Sequence, residues 1–152
     1  MQKTKAFLKD WIINFVKHKD IFTKSIDKIE YDRDGFDIVV HYKDQTRFFI
    51  CTNHLENLPE MMKKFNEDDR YGIVTINSHA NFKKLIEHWK ELSRFKMLCI
   101  YLINPFSNLD KKWLIYPHTH SRIADEASLE LGLKSMFETV EPINHDEIEN
   151  KL

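Results

Sequence analysis

IDKIEYDRDGFDIVVHYKDQTRFFICTN, residues 26–53, decides how this chain folds. Asp32-Arg33-Asp34-Gly35 is a turn signal, with a glycine available for a positive φ. Beyond it Phe36, Ile38, Val40 and Tyr42 alternate with Asp37, Val39 and His41, the period-two pattern of a strand. Lys43-Asp44-Gln45 is a second polar break. Arg47-Phe48-Phe49-Ile50-Cys51-Thr52 then brings aromatic and β-branched residues suited to a third strand. Breaks this short make the neighbours antiparallel. The first strand, over residues 26–31, is the weakest and suits an edge. Alternation puts Phe36, Ile38, Val40 and Tyr42 on one face and Asp37 on the other, with Val39 and His41. Cys51 and Asn53, two apart, share a face.

Upstream, Thr4 caps a predicted helix in which Leu8, Trp11, Ile12, Phe15 and Val16 form an apolar stripe, ending near residues 18–20. Downstream, residues 54–69 read as a poorer helix with Pro59 in its first turn and Met61, Met62 and Phe65 inward. Gly72-Ile73-Val74-Thr75-Ile76 is a wholly apolar run, the mark of a strand covered on both faces. Ser78 caps a helix with Phe82, Leu85, Ile86, Trp89 and Leu92 on one side, and residues 97–103 form a second buried strand. Strand, helix, strand at this spacing is a βαβ unit with parallel strands. A loop at 104–108 leads to a strand at 112–116. Residues 119–139 read as helix in two pieces, broken near Gly132. The whole is one α/β domain over 1–142, a mixed sheet with helices on both faces, followed by an acidic tail over 143–152 that should fray.

Apolar residues make up 42 % of the 152 and charged residues 31 %, an ordinary globular balance. Net charge is −1, so overall charge points to neither a nucleic-acid nor a membrane partner. Its distribution is uneven. Six Lys stand against two Asp in residues 1–24, and four acids against one Lys in 141–152. Cys51 and Cys99 lie in apolar runs with no CxxC pairing, as buried free thiols in a reducing compartment would. Lys9 and Asp10 interrupt the N-terminal apolar pattern, so no signal peptide is expected. No apolar run approaches the ~20 residues that span a bilayer. The expectation is a cytoplasmic protein.

The element order, together with Gly35-Phe36-Asp37-Ile38-Val39-Val40, resembles the PD-(D/E)XK nuclease superfamily, in particular Mrr-type restriction endonucleases and archaeal Holliday-junction resolvases. That family has an αβββαβ core. A Gly-x-Asp strand carries a metal-binding Asp, and the next strand ends in Glu/Gln-x-Lys. The resemblance covers roughly residues 5–103 and implies a restriction-endonuclease-like core. It puts Asp37 at the metal-binding position, Cys51 at the acidic position and Asn53 at the lysine position. Phosphodiester hydrolysis with Mg²⁺ needs two or more oxygen anions to hold the cation, and a base or ammonium beside the attacking water. Cys51 suits a hard cation poorly, and Asn53 is neither base nor cation. Asp34, Glu30 and Glu56 are the nearby acids that could complete a metal set with Asp37, and Lys43 the nearby lysine. Read literally, the resemblance implies a disabled site.

Other constellations are explained without chemistry. His118 and His120 lack further ligands at zinc-site spacing. Ser78 beside His79 has no Gly-x-Ser-x-Gly elbow and is explained by helix capping. The pairs Lys63-Lys64, Lys83-Lys84 and Lys111-Lys112 read as separate solvated charges, with a shared phosphate-binding surface as the alternative. Trp11, Trp89 and Trp113 anchor the core. Three functions follow, in order of preference. The first is a nuclease-like domain with a decayed site that binds nucleic acid or protein. The second is a partner-binding domain without a nucleic-acid role. The third is a Mg²⁺-dependent nuclease with a rearranged site.

Overall fold

The computed structural model describes residues 2–152. β1 (Ile26–Arg33), β2 (Phe36–Tyr42), β3 (Thr46–Cys51), β4 (Arg70–Ile76), β5 (Met97–Ile103) and β6 (Lys112–Ile115) form one sheet in chain order. The first three strands are antiparallel, β3, β4 and β5 run parallel, and β6 returns antiparallel to β5. Seven α-helices are found among the described residues: α1 (Gln2–Lys19), α2 (Leu58–Met62), α3 (His79–Glu87), α4 (Trp89–Leu92), α5 (Pro117–Ile123), α6 (Glu126–Phe137) and α7 (His145–Lys151). The chain is α/β, with a mixed sheet. No helix of the described residues is long and apolar enough to cross a membrane.

Local chemistry sets the corners. Arg33 pairs with Phe36, and Asp34 (φ +55) and Gly35 (φ +83) form the two-residue turn between them. Positive φ at both central residues is the hairpin geometry that Asp-Gly favours, because its twist matches that of the strands. β1 is the outer strand; five of its eight residues are charged, and its register shifts between Ile26 and Lys28.

Helices cover both faces. On one side α1 and α7 bring Leu8, Ile12, Val16 and Ile148 onto Ile38, Val40, Val74 and Ile103. On the other, Leu58, Leu85, Trp89, Leu133 and Phe137 pack onto Val39, Ile50, Ile73 and Ile100. Cys51 and Cys99 are buried free thiols on the α1 side.

Several elements differ from the sequence reading. The helix expected over 54–69 shrinks to a 3-10 turn at Leu55–Asn57 and the five residues of α2. Asn66 Oδ1 accepts the N–H groups of Asp68 and Asp69, an Asx turn that competes with helix. The helix after Ser78 breaks at His88 into α3 and α4, although its apolar stripe runs through the break. The two pieces expected over 119–139 part at Ala124-Asp125, not at Gly132. Asp125 caps α6 through the Ser128 N–H, while Gly132 lies inside α6 with open space around it. Thr4 lies inside α1, fully buried, and its N–H donates to Glu149 at 2.6 Å. The acidic end expected to fray forms α7 instead. Its Asn144–Glu147 capping box satisfies the first turn, and Ile148 is fully buried.

Candidate functional site

The β2–β3 ladder ends at Ile38 opposite Phe49. Beyond that pair the Asp37 carboxylate accepts the Cys51 N–H at 2.8 Å, and its other oxygen lies 3.1 Å from Lys5 Nζ. The Asp37 side chain is only 13 % exposed. Strict alternation puts this acid on the face of Val39. The structure puts Phe36 there, in the same cluster as Val39 and within a group of rings that includes Phe48, Phe65 and Tyr71. Asp37 turns toward α1 instead. The alternation fails where β2 has lost its β3 partner beyond Ile38, although β1 still pairs with it as far as Phe36.

Lys5 is not among the residues the motif suggests. Its signal is spacing: Lys5 falls at i−3 from Leu8, beside Thr4, which continues the buried stripe of Leu8, Ile12 and Val16, so the half-exposed Lys5 side chain lies at the rim of that stripe. Lys9, one turn on, pairs with Asp32 at 3.6 Å.

Cys51 is 1 % exposed, and burial, reinforced by the Asp37 carboxylate, pushes its thiol up to about 12. A thiol held that high stays protonated at neutral pH, so it offers no thiolate nucleophile. Asn53 is buried, and its carbonyl accepts from Asn81 Nδ2 at 2.9 Å. Asp37 and Cys51 are therefore brought together, with Asn53 two residues beyond.

Asp34, Glu30 and Lys43 find other surroundings. Asp34 sits in the exposed hairpin turn, 3.5 Å from Arg33. Glu30 lies on β1 among Arg33 (2.7 Å), Lys28 (3.2 Å) and His41 (2.6 Å). Lys43 follows the far end of β2, six residues from Asp37 or roughly 20 Å along the strand. Glu56 is exposed in the 3-10 turn. Among the described residues no group of three or more His, Cys, Asp or Glu is arranged to hold a metal ion. A single carboxylate, already accepting one N–H and facing an ammonium, does not fit the oxygen-rich shell that Mg²⁺ requires.

The cluster around Glu30 carries an acid-stability prediction. Arg33 first, then Lys28 and His41, hold the Glu30 carboxylate down to about 2 from an ordinary 4.5. A carboxylate depressed in the folded state stabilises the fold above its unfolded pKa. That contribution is lost as pH falls from 4.5 through about 2. Glu30→Gln should lower stability at neutral pH, leave it least changed near pH 2 and so flatten this part of the stability-against-pH curve, as circular dichroism melts across pH would read.

The remaining candidates are structural. Ser78 caps α3 by accepting the Asn81 N–H. His118 Nδ1 lies 2.9 Å from the Ser93 carbonyl, and His79 packs its ring on Phe137. A cavity of about 490 Å³ at the ends of the parallel strands is lined by His54, Ser78, His79 and His145. The His54 and His145 rings there lie 4.9 Å apart. No family model, curated protein or solved structure matches the chain.

Proposed function

We propose that this is a nuclease-like domain of restriction-endonuclease-like descent whose carboxylate site no longer hydrolyses phosphodiesters, and which works by binding nucleic acid or protein. One observation carries the reading: the Lys5 ammonium stands 3.1 Å from Asp37, on the carboxylate that the family uses for a dication. The β1–β2–β3 meander followed by parallel β4, with α1 on one face and α2 on the other, supports the resemblance in topology. The acid has kept its place in that topology, while its partners have become a neutral thiol, an amide and an internal cation. An internal ammonium neutralises the charge that would draw in Mg²⁺, and does so with no loss of translational freedom.

Two measurements test this. Amide NMR during a Mg²⁺ titration should show no saturable shift centred on Asp37 and Cys51. Incubation with branched, single-stranded and duplex DNA plus Mg²⁺ or Mn²⁺ should leave the substrates intact. Cleavage abolished by Asp37→Ala would overturn the reading in favour of a working, rearranged nuclease.

A further inference from the structure

We propose that the cleft at the start of the parallel strands, where Arg47 and Arg70 lie side by side beneath Lys19 and a ring of aromatic side chains, binds single-stranded nucleic acid. Arg47 and Arg70 are paired in register on β3 and β4, so two guanidinium groups start neighbouring strands at the same level. Like charges placed directly across a sheet destabilise it unless something of opposite sign lies between them. Among the described residues no carboxylate comes within ion-pair distance of Arg47, Arg70, Lys19 or Lys112. The one acid at the cleft is Asp20, and its oxygens are already taken by the Ser25 and Ile26 N–H groups and the Thr23 and Ser25 hydroxyls.

The cations rest on rings instead. The Arg47 guanidinium lies 5.2 Å from the centre of Tyr42, and Lys19 and Lys112 lie 4.8 and 5.9 Å from the centre of Phe15. Arg47 Nε donates to the neutral Gln45 amide at 3.3 Å, which leaves its charge uncompensated. A cavity of about 290 Å³ opens among Lys19, Arg47, Phe15 and Tyr42, with Arg47, Tyr101 and Tyr116 shared with a narrow crevice that Arg70 also lines. That is room for about one base or sugar-phosphate unit at a time, at the small end for ligand sites. At its mouth Tyr116 is 41 % exposed. Phe22 is 95 % exposed, in the turn whose Asp20 and Thr23 line the cleft.

Arginines without a carboxylate match phosphate in fork geometry, and free aromatic faces match unstacked bases. A duplex keeps its bases stacked inside and offers them to neither Tyr116 nor Phe22. A free nucleotide would leave Phe22, outside the cavity, unused. The polymer is the ligand that uses every part.

This inference stands on the cleft alone. Lys5 and Lys19 are fourteen residues apart on α1, about 21 Å, so the outcome at Asp37 does not touch it.

The test is fluorescence anisotropy of the full chain with a labelled oligothymidylate, across a salt series, against a duplex of equal length, thymidine monophosphate and anionic phospholipid vesicles. Single strands should bind more tightly than duplex. Arg70→Gln should lower affinity and reduce the log–log salt slope by about 0.7. Phe22→Ala alters a side chain with almost no contacts, so it should fold normally and weaken binding by about tenfold. Lys83→Gln removes the same charge from α3 on the opposite face of the sheet and should change little. Equal affinity for duplex would overturn the proposal. So would monophosphate or vesicles binding in place of the oligonucleotide, an unaffected Phe22→Ala variant, or equal losses in Lys83→Gln and Arg70→Gln.

Discussion

Asn81→Ala should lower the free energy of unfolding by about 3 kcal/mol or more, among the largest effects any polar substitution here can have. Asn81 is 1 % exposed on the first turn of α3. Its Oδ1 accepts the Leu55 N–H at 2.9 Å, and its Nδ2 lies within hydrogen-bond reach of the Asn53 carbonyl, the Ile76 carbonyl and the Thr75 hydroxyl. Truncation orphans the Leu55 N–H in the interior and takes the Nδ2 donor from the Asn53 carbonyl, losses worth about 1–3 kcal/mol each. Ile76 O retains the Ser78 N–H, and Thr75 can rotate, so they add less. Urea unfolding would measure the loss, and amide exchange would locate it, with the Leu55 N–H becoming labile first. Asn81→Asp is the sharper variant, because it keeps the shape but turns an acceptor toward two carbonyls. It should be at least as damaging. If either variant melts like the parent, this amide is not what joins the exit of β3 to α3.

Gly72→Ala should cost about 1–3 kcal/mol by overpacking. A Cβ at position 72 would stand 2.5 and 2.6 Å from two ring carbons of Phe49 and 3.2 Å from Tyr101. Phe49 is the register partner of Gly72, is 1 % exposed and packs against Tyr101, so the ring has nowhere to go. Adding Phe49→Leu to the Gly72→Ala variant should recover part of the loss. A double-mutant cycle would then show coupling between the two positions. Strict additivity would mean that the sheet shifts instead of the ring. Arg70 is two residues away on the same strand face, so the same variant should also weaken oligonucleotide binding.

The residues that specify the hairpin and the βαβ unit are legible because their signals are local. Asp-Gly specifies its own turn, and unbroken apolar runs such as residues 72–76 can only be covered strands. The places that are not legible depend on partners far along the chain. Alternation puts Asp37 on the wrong face because it assumes strands on both sides, whereas β3 leaves the ladder at Ile38 and only β1 continues to Phe36. Thr4 has the chemistry of a cap, but it is the buried anchor of Glu149, 145 residues away. The Arg47–Arg70 pair is invisible until the register of two strands is known, since each arginine alone is an ordinary strand-end charge. Asp125 carries a capping signal, yet Gly132 draws the expected break, because glycine is a poor helix former wherever packing does not intervene.

The charge-studded outer strand has one more consequence. Its free backbone amides and carbonyls are an open template, and any chain with an unpaired strand could in principle extend the sheet from it. Asp27, Lys28, Glu30, Asp32 and Arg33, together with the shifted register, make such an addition costly. Stripped of those charges, the same eight residues would present an unguarded edge to a second copy of the chain.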